Sequence, residues 1–269
     1  MKKIILLTGA TDGIGFETAK SLAAGGHTLL IHGRNQSKLE STLTQLSKVE
    51  GVGKLETYKA DLSIVADIHK LIAAIQANHQ KLDVIINNAG IFSTPKPKIE
   101  CGLDVRFMVN TIAPYMLTKE LISMMPNSGR VINLSSAAQW VVDIDALKGL
   151  TDLSDNQAYG QSKLALTMWS ARMAEETGKG GPAIISVNPG SLLGSKMVKE
   201  AYGMQGKELS IGSEILVEAA ISDKFSEATG RYFDNDLGDF SSPHGDAMDT
   251  NKNNALVHAI DTLISKFDV

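Results

Sequence analysis

At 269 residues the chain is long enough to bury a substantial core and short enough for one large α/β domain. Its 43% hydrophobic and 21% charged content is that of a globular protein. A net charge of −4 without any basic block argues against nucleic-acid or membrane-surface binding. The single cysteine, Cys101, excludes an intrachain disulfide and a multi-cysteine metal centre, and is read as structural. The opening MKKIILLTGA has an apolar run ending at Leu7, too short for a signal peptide or a membrane span, so a soluble, cytoplasmic protein is expected.

Apolar runs of strand length alternate with helical patterns. Ile4–Leu7 reads as the first strand and Gly13–Ala24 as a helix with Ile14, Ala19, Leu22 and Ala23 as its apolar positions. A second strand at Leu29–Ile31 leads to a helix over Lys38–Lys48, and a third at Leu55–Tyr58 to a helix near Val65–His79. The fourth, Val84–Ile86, precedes a long helix over roughly Gly102–Met125, which Pro114 is expected to kink. Val131–Leu134 is the fifth strand, a helix from about Gln157 to Glu176 follows, and Ile184–Val187 is the sixth. Tyr232 and Phe233 belong to a seventh, and Ala255–Phe267 reads as a packing helix. Strands apolar throughout, alternating with helices, predict a doubly wound α/β fold with a parallel sheet covered on both faces. No repeat or linker divides residues 1–269, so one domain is expected. Two excursions, about 137–156 and 191–210, fall at carboxyl ends of strands, where open sheets bind ligands.

The segment LLTGATDGIGFETAK puts Gly9, Gly13 and Gly15 between the first strand and first helix. Glycines there permit a tight turn and close backbone approach, and a helix N-terminus offers free N–H groups to a pyrophosphate. Thr11, Asp12 and Ile14 complete the loop, although a carboxylate at Asp12 does not favour a nearby phosphate. The second strand ends in IHGRN, with Arg34 and Asn35 and no acid where an adenosine ribose would lie. Arginine suits a 2′-phosphate, so NADP(H) is expected over NAD(H). Asp61, followed by Leu62, is placed to accept from an adenine amine, to cap the next helix, or both.

Tyr159 and Lys163 are four residues apart in AYGQSKLALTMWS, which puts both on one helix face. A phenol beside a fixed ammonium is a proton donor and acceptor suited to carbonyl–alcohol chemistry. TGxxxGIG, NNAG, Asn110, a serine pair, YxxxK and NPG occur in this order along nearly the whole chain. Together they resemble the short-chain dehydrogenase/reductase family, and within it the retinol-dehydrogenase and WW-domain-oxidoreductase-like branch. The resemblance implies a Rossmann-type sheet of about seven strands in the order 3-2-1-4-5-6-7. It also implies a catalytic tetrad of Asn110, Ser136, Tyr159 and Lys163. Tyr159 would be the general acid or base and Lys163 would hold the nicotinamide ribose and stabilise the phenolate. Ser136, rather than Ser135, would donate to the substrate carbonyl, and Asn110 would position a water behind Lys163. Cofactor contacts are carried over to Asn88, Ala89 and Gly90, to Tyr159 and Lys163, and to Pro189, Gly190 and Leu192. The family's threonine after NPG is replaced by Gly194, with Ser195 one position on. A homodimer or homotetramer joined through the tyrosine helix is also implied.

Other features have structural readings. No histidine pair has metal-ligand spacing, and all six histidines are read as surface or packing residues. Asp234, Asp236 and Asp239 are read as a solvated loop rather than a calcium site. Trp140, Val141 and Val142 either line a lipophilic pocket or pin the 137–156 loop to the core. Met197, Val198, Tyr202 and Met204 form either a short amphipathic lid or ordinary packing. The chain is therefore expected to be an NADP(H)-dependent oxidoreductase that interconverts a carbonyl and an alcohol on a small or medium lipophilic substrate. The alternatives are a non-catalytic NADP(H)-sensing protein and a carbon–carbon double-bond reductase.

Overall fold

A computed structural model describes residues 1–196, 198–199 and 203–267. Its centre is an eight-stranded sheet in the order β3-β2-β1-β4-β5-β6-β7-β8. The strands are β1 (Ile4–Leu7), β2 (Thr28–Gly33), β3 (Leu55–Lys59), β4 (Val84–Asn87), β5 (Arg130–Leu134), β6 (Ala183–Asn188), β7 (Tyr232–Asp234) and β8 (Asp239–Ser241). The first seven run parallel, and β8 pairs antiparallel with β7. The eighth strand is one more than expected. The chain reverses after Asp234 through Gly238, which adopts φ 74°, and lays Asp239 opposite Asp234.

Alternation along the strands divides the core into two layers. In β1, Ile5 and Leu7 face one side and Leu6 the other. The first layer packs against α1 (Gly13–Ala24), α2 (Gln36–Leu46) and α8 (Leu209–Ile221). The second packs against α3 (Val65–Asn78), α5 (Ala113–Leu121), α7 (Asp155–Thr177) and α9 (Thr250–Ile264). Every residue of β4, β5 and β6 is buried, which accounts for their apolar runs, and the polar residues toward their ends, such as Asn87, Asn133 and Asn188, are hydrogen-bonded. Among the described residues no helix is long and apolar enough to cross a membrane.

The expected helix over Gly102–Met125 is broken into parts. A single turn, α4 (Val105–Phe107), capped by Asp104, widens into a π-helical turn at Met108–Ile112 before α5 begins. The Ala113 N–H reaches back five residues to the Met108 carbonyl. Pro114 lies at the start of α5 and has no N–H to give the Asn110 carbonyl four residues back. The proline thus marks the place where α-helical bonding fails. Cys101 is exposed in the turn before this helix.

The 137–156 insertion folds onto α7 and carries one short helix, α6 (Ile144–Leu147), capped by Asp143. α9 lies along α5 and α7. Leu256, Ile260 and Leu263 share one core with Trp169, and Asp261 accepts hydrogen bonds from Tyr115 (2.9 Å) and Lys119 (2.8 Å). The layer behind the tyrosine helix is therefore completed by the chain's own C-terminal helix. Ile260 is fully buried there. Ile260→Ala is expected to cost about 2–4 kcal/mol in unfolding free energy. An unchanged denaturant midpoint would rule out this packing.

Candidate active site

The parallel order brings the ends of β1, β4, β5 and β6 to one edge of the sheet. The strand order reverses direction between β1 and β4, where such sheets open a crevice. The glycine loop lines its β1 side. Gly9 (φ 65°) and Gly13 (φ 54°) hold left-handed backbone that side chains disfavour. A Cβ on Gly15 would lie 2.2 Å from the Gly9 carbonyl, whereas one on Gly13 would meet only Ser195, at 3.7 Å. Gly15 is thus needed for packing, and Gly13 leaves an open cradle above the first turn of α1. Of the first-turn amides of that helix, Gly13 N–H is taken by Asp12, and those of Ile14 and Gly15 are left as donors toward a phosphate.

Asp12 is the N-cap of α1, accepting from the Gly13 N–H at 2.9 Å. Its other oxygen accepts from Lys38 Nζ at 2.9 Å, and this hydrogen bond holds the carboxyl below its ordinary pKa. The charge of Asp12 is therefore met by a cation. Arg34 is exposed at the end of β2 and makes no ion pair among the described residues. Asn35 caps α2 through Lys38 N at 3.0 Å. Asp61 Oδ1 accepts from both the amide and the hydroxyl of Ser63, while the N-cap position of α3 falls to Ile64. Asp61 thus shapes the turn before the helix without capping it, with Leu62 buried beside it.

One residue that braces the glycine loop escaped the sequence reading. His32, on β2, is 3% exposed and tied at both ring nitrogens. Nδ1 accepts from the Gly9 N–H at 3.3 Å, and Nε2 donates to the Ala60 carbonyl at 3.1 Å. Burial pushes its pKa down to about 4, which keeps the ring neutral. His32 therefore fastens the glycine loop to the middle of the sheet. Only the pairing of strands, not histidine spacing, brings these groups together.

NNAG follows β4. Asn87 Nδ2 donates to Asn133 Oδ1 at 2.8 Å and to Thr118 Oγ1 at 3.2 Å, locking the ends of β4 and β5 together. Asn88 Nδ2 donates to the carbonyls of Thr8 (2.9 Å) and Gly9 (3.1 Å), and the Asn88 and Ala89 amides both donate to Thr8 Oγ1. Asn88 and Ala89 thus brace the glycine loop from across the crevice. A Cβ on Gly90 would lie 3.5 Å from Asn110 Oδ1 and 3.6 Å from Lys163 Nζ, so this glycine lies between those two side chains.

Asn110 lies in the π-turn. Its amide accepts from Ile91 N at 2.8 Å and donates to Ile91 O and to Ser162 Oγ, each at 2.9 Å. Ser162 Oγ in turn donates to the Tyr159 carbonyl at 2.7 Å. Both ends of the amide are occupied, so the side chain splices NNAG to α7. Its main-chain carbonyl is the group to which Pro114 cannot give the usual α-helical hydrogen bond.

α7 starts at a capping box between Ser154 and Gln157. Tyr159 and Lys163 follow in its first three turns. The Tyr159 ring packs on Phe92 at 4.9 Å between centroids. Lys163 Nζ lies 5.7 Å from the Tyr159 ring centroid and donates to the Leu134 carbonyl at 2.7 Å. Burial pushes the Lys163 pKa down to about 8. Ser135 is buried, with its hydroxyl 2.7 Å from Thr167 Oγ1. Ser136 is half-buried beyond β5, its Oγ accepting from the Ala138 N–H at 3.1 Å.

Arg106 is 1% exposed and forms a hub under this wall. Its guanidinium donates twice to Asp104, and NH1 donates to Asp155 at the start of α7 and to the Phe92 carbonyl. It thereby holds Phe92 against Tyr159. Trp140 lies against Gly160, where a Cβ would be 2.9 Å from the indole, and the Trp140 main-chain N–H donates to the Gly160 carbonyl at 3.2 Å. The indole remains 46% exposed while Val142 packs on the core. The insertion is therefore both pinned to α7 and open at its tryptophan.

NPG follows β6. Asn188 Nδ2 donates to Asp234 (2.8 Å) and Asp236 (3.0 Å), and Ser191 donates to Asp236 through N and Oγ. Asn235 Nδ2 donates to the Pro189 and Ile211 carbonyls. Burial raises the Asp236 carboxyl, but the Ser191 and Asn188 hydrogen bonds and nearby Lys207 outweigh it and hold it low. Asp234 and Asp236 are thus a latch on the NPG turn, not a merely solvated loop. Among the described residues no acidic or histidine cluster could hold a metal. Beyond the latch, Gly190 has φ 116° and Leu192 φ 56°, a strained conformation for leucine. Ser195 accepts from Val198 N at 3.3 Å and stands over Gly13. Of the suggested lid residues, Met197 and Tyr202 lie outside the described residues.

These features fit a dinucleotide: an open glycine cradle, free helix-start donors and a buried ammonium at the far end of one crevice. The sequence model of the short chain dehydrogenase family matches residues 3–206. The chain is 30% identical over 244 residues to retinol dehydrogenase 12 of Mus musculus, covering 86% of this chain and 77% of that protein. Polyprenol dehydrogenase of Homo sapiens is 32% identical over 176 residues, 62% of this chain, and the match spans only about half (53%) of that protein's length. A short chain dehydrogenase from Escherichia coli CFT073 complexed with NADPH superposes with TM-score 0.71 at 25% identity, over 87% of this chain and 96% of that one. Landomycin C-6 ketoreductase LanV with bound NADP and rabelomycin gives TM-score 0.69 at 25% identity, over 87% and 94%. The chain belongs to the short-chain dehydrogenase/reductase family, in its retinol-dehydrogenase branch. It is an oxidoreductase of the carbonyl–alcohol class that uses a nicotinamide cofactor.

The buried ammonium carries a cost that the fold accepts. Lowering Lys163 from 10.5 to about 8 corresponds to roughly 3 kcal/mol. Orphaning the Leu134 carbonyl costs about 1–3 kcal/mol. Lys163→Met is therefore expected to leave the melting temperature level or higher while turnover collapses. A melting temperature well below wild type would contradict this balance.

Proposed function

We propose that the chain is an NADP(H)-dependent reductase of a small or medium lipophilic carbonyl compound, with Tyr159 as general acid. The observation that carries this reading is the Lys163 ammonium, buried against Leu134 beside Tyr159 at the head of the glycine-lined crevice. Buried cations are costly, and one placed under a phenol is explained by the phenolate it must hold. NADP(H), when bound, supplies the hydride. The chain's own residues manage the proton. Tyr159 gives its phenolic proton to the substrate oxygen, and Lys163 stabilises the resulting phenolate. Ser136 donates to the same oxygen, where charge develops. Asn110, whose carbonyl gets no hydrogen bond from Pro114, would position a water that returns the proton through Lys163.

Gly9, Thr11, Gly13, Ile14 and Gly15 would hold the pyrophosphate, and Asn88, Ala89 and Gly90 the nicotinamide ribose side. Pro189, Gly190 and Leu192 would cover the nicotinamide, and Ser195, standing over Gly13, would serve the phosphate end. Arg34, exposed and without a carboxylate partner, would take the 2′-phosphate, with Asp61 on the adenine side. Phe92, exposed Trp140 and exposed Val141 give the tyrosine an apolar approach, which supports a lipophilic substrate. A dimer or tetramer through the outer face of α7 would have to displace α9, so the chain's own packing argues against that interface.

Purified enzyme is assayed for NADPH oxidation against ketones, aldehydes, quinones, retinoids and enones. Tyr159→Phe is expected to lower kcat by roughly a hundredfold or more with little change in NADPH affinity. Wild-type turnover that survives the substitution removes the tyrosine mechanism. Tight NADPH binding with no turnover by wild type supports a sensing role instead, and selective turnover of enones supports double-bond reduction. Arg34→Asp is expected to shift the kcat/KM ratio toward NADH by about tenfold or more. An unchanged ratio removes the 2′-phosphate role.

A further inference from the structure

We propose that Tyr232 is a positioning residue for Ser136, and that the C-terminal strand pair β7–β8 thereby sets the reactivity of the site. The inference rests on the reading of Ser136 given above, and it concerns residues beyond the 3–206 segment matched by the family.

Ser136 lies just past β5. The last ladder bond there runs from Ser135 N to the Val187 carbonyl at 2.9 Å, so Ser136 has left the sheet. Its carbonyl accepts from two side chains. Tyr232 OH donates at 3.1 Å, and Gln139 Nε2 donates at 2.9 Å. Gln139 is held in turn, with its Oε1 accepting from the His244 N–H at 3.0 Å. Both anchors therefore lead into the C-terminal third. Tyr232 is on β7, only 5% exposed, between Ser186 of β6 and Ser241 of β8. Burial, with Asp234 adding to it, raises the Tyr232 pKa, so the phenol keeps its proton and remains a donor.

The Ser136 side chain has one hydrogen bond, from the Ala138 amide, and it leaves the hydroxyl hydrogen to be aimed elsewhere. Its Oγ is carried by Cβ, so the backbone of Ser136 sets the arc on which Oγ can stand. Two donors on one carbonyl fix that backbone, as ladder bonds fix the residues before it. Tyr232 also lines a surface cavity of about 500 Å³ between α7 and residues 229–248, together with Thr167, Ser170 and Arg231. It is thus the side chain that links this cavity to the serine.

The test uses Tyr232→Phe, Ser136→Ala and the double variant in the full chain. Tyr232→Phe is expected to lower kcat about tenfold, with NADPH affinity and melting temperature near wild type, since small misplacements of a reacting group are costly. In the Ser136→Ala background the same change is expected to have no further effect on kcat. Hydrogen exchange on the cofactor-free protein gives a readout independent of turnover. Amides of residues 136–139 are expected to exchange faster in Tyr232→Phe, with β7 unchanged. Unchanged exchange at 136–139, or an additive loss in the double variant, overturns the proposal. Inert Ser136→Ala overturns the serine's assigned role and this inference with it. A damaging Ser136→Ala beside an inert Tyr232→Phe overturns the inference alone.

Discussion

The arrangement turns on one buried charge. Lys163 Nζ is out of solvent, its pKa drawn down to about 8, and its hydrogen bond goes to the backbone carbonyl of Leu134. An ammonium in this position needs α7 and β5 held at a fixed separation and a gap beside it for the cofactor. Gly90 borders that gap, since a Cβ there would already touch Asn110 Oδ1 (3.5 Å) and Lys163 Nζ (3.6 Å), which leaves room for little beyond a methyl group. The chain gives up stability at this point, and active sites are where such concessions collect.

Around that charge, irregular backbone does the aligning. Pro114 withholds a donor from the Asn110 carbonyl, and the helix answers with a π-turn. The turn points the Asn110 amide at Ile91 and Ser162, so three segments distant in sequence share one side chain. Arg106 does similar work on the substrate side, joining Asp104, Asp155 and the Phe92 carbonyl beneath the Tyr159 ring. The glycine loop is held in the same manner, by Asn88 from one side and neutral His32 from the other.

The C-terminal third has a larger part than its plain composition implies. Asp234, Asn235 and Asp236 grip the NPG turn, and Tyr232 with Gln139 and His244 grips the carbonyl of Ser136. Both grips come from the β7–β8 hairpin and the segment after it. α9 then closes the face behind α7 with apolar residues and the Tyr115–Asp261 hydrogen bond.

Alternation of apolar runs with helical periods was enough to locate β1 to β6, because strands of a sheet covered on both faces are mostly apolar. The glycine loop was legible because left-handed turns need glycine, and Tyr159 and Lys163 because a helix puts residues four apart together. The antiparallel β8 was missed, being three residues of unremarkable polarity whose pairing depends on the turn before it. His32, Arg106, Tyr232 and the Asp234–Asp236 latch were illegible for a common reason. Each acts on a backbone group 14 to 96 positions away or on a partner strand, as the Phe92–Arg106 and Ser136–Tyr232 contacts illustrate. Local propensity and periodicity carry no information about such partners. The sequence alone therefore determined the kind of sheet and the chemistry at its edge. Only the tertiary structure decided what holds that chemistry in place, since hydrogen bonds between distant segments exist once the sheet has brought them together.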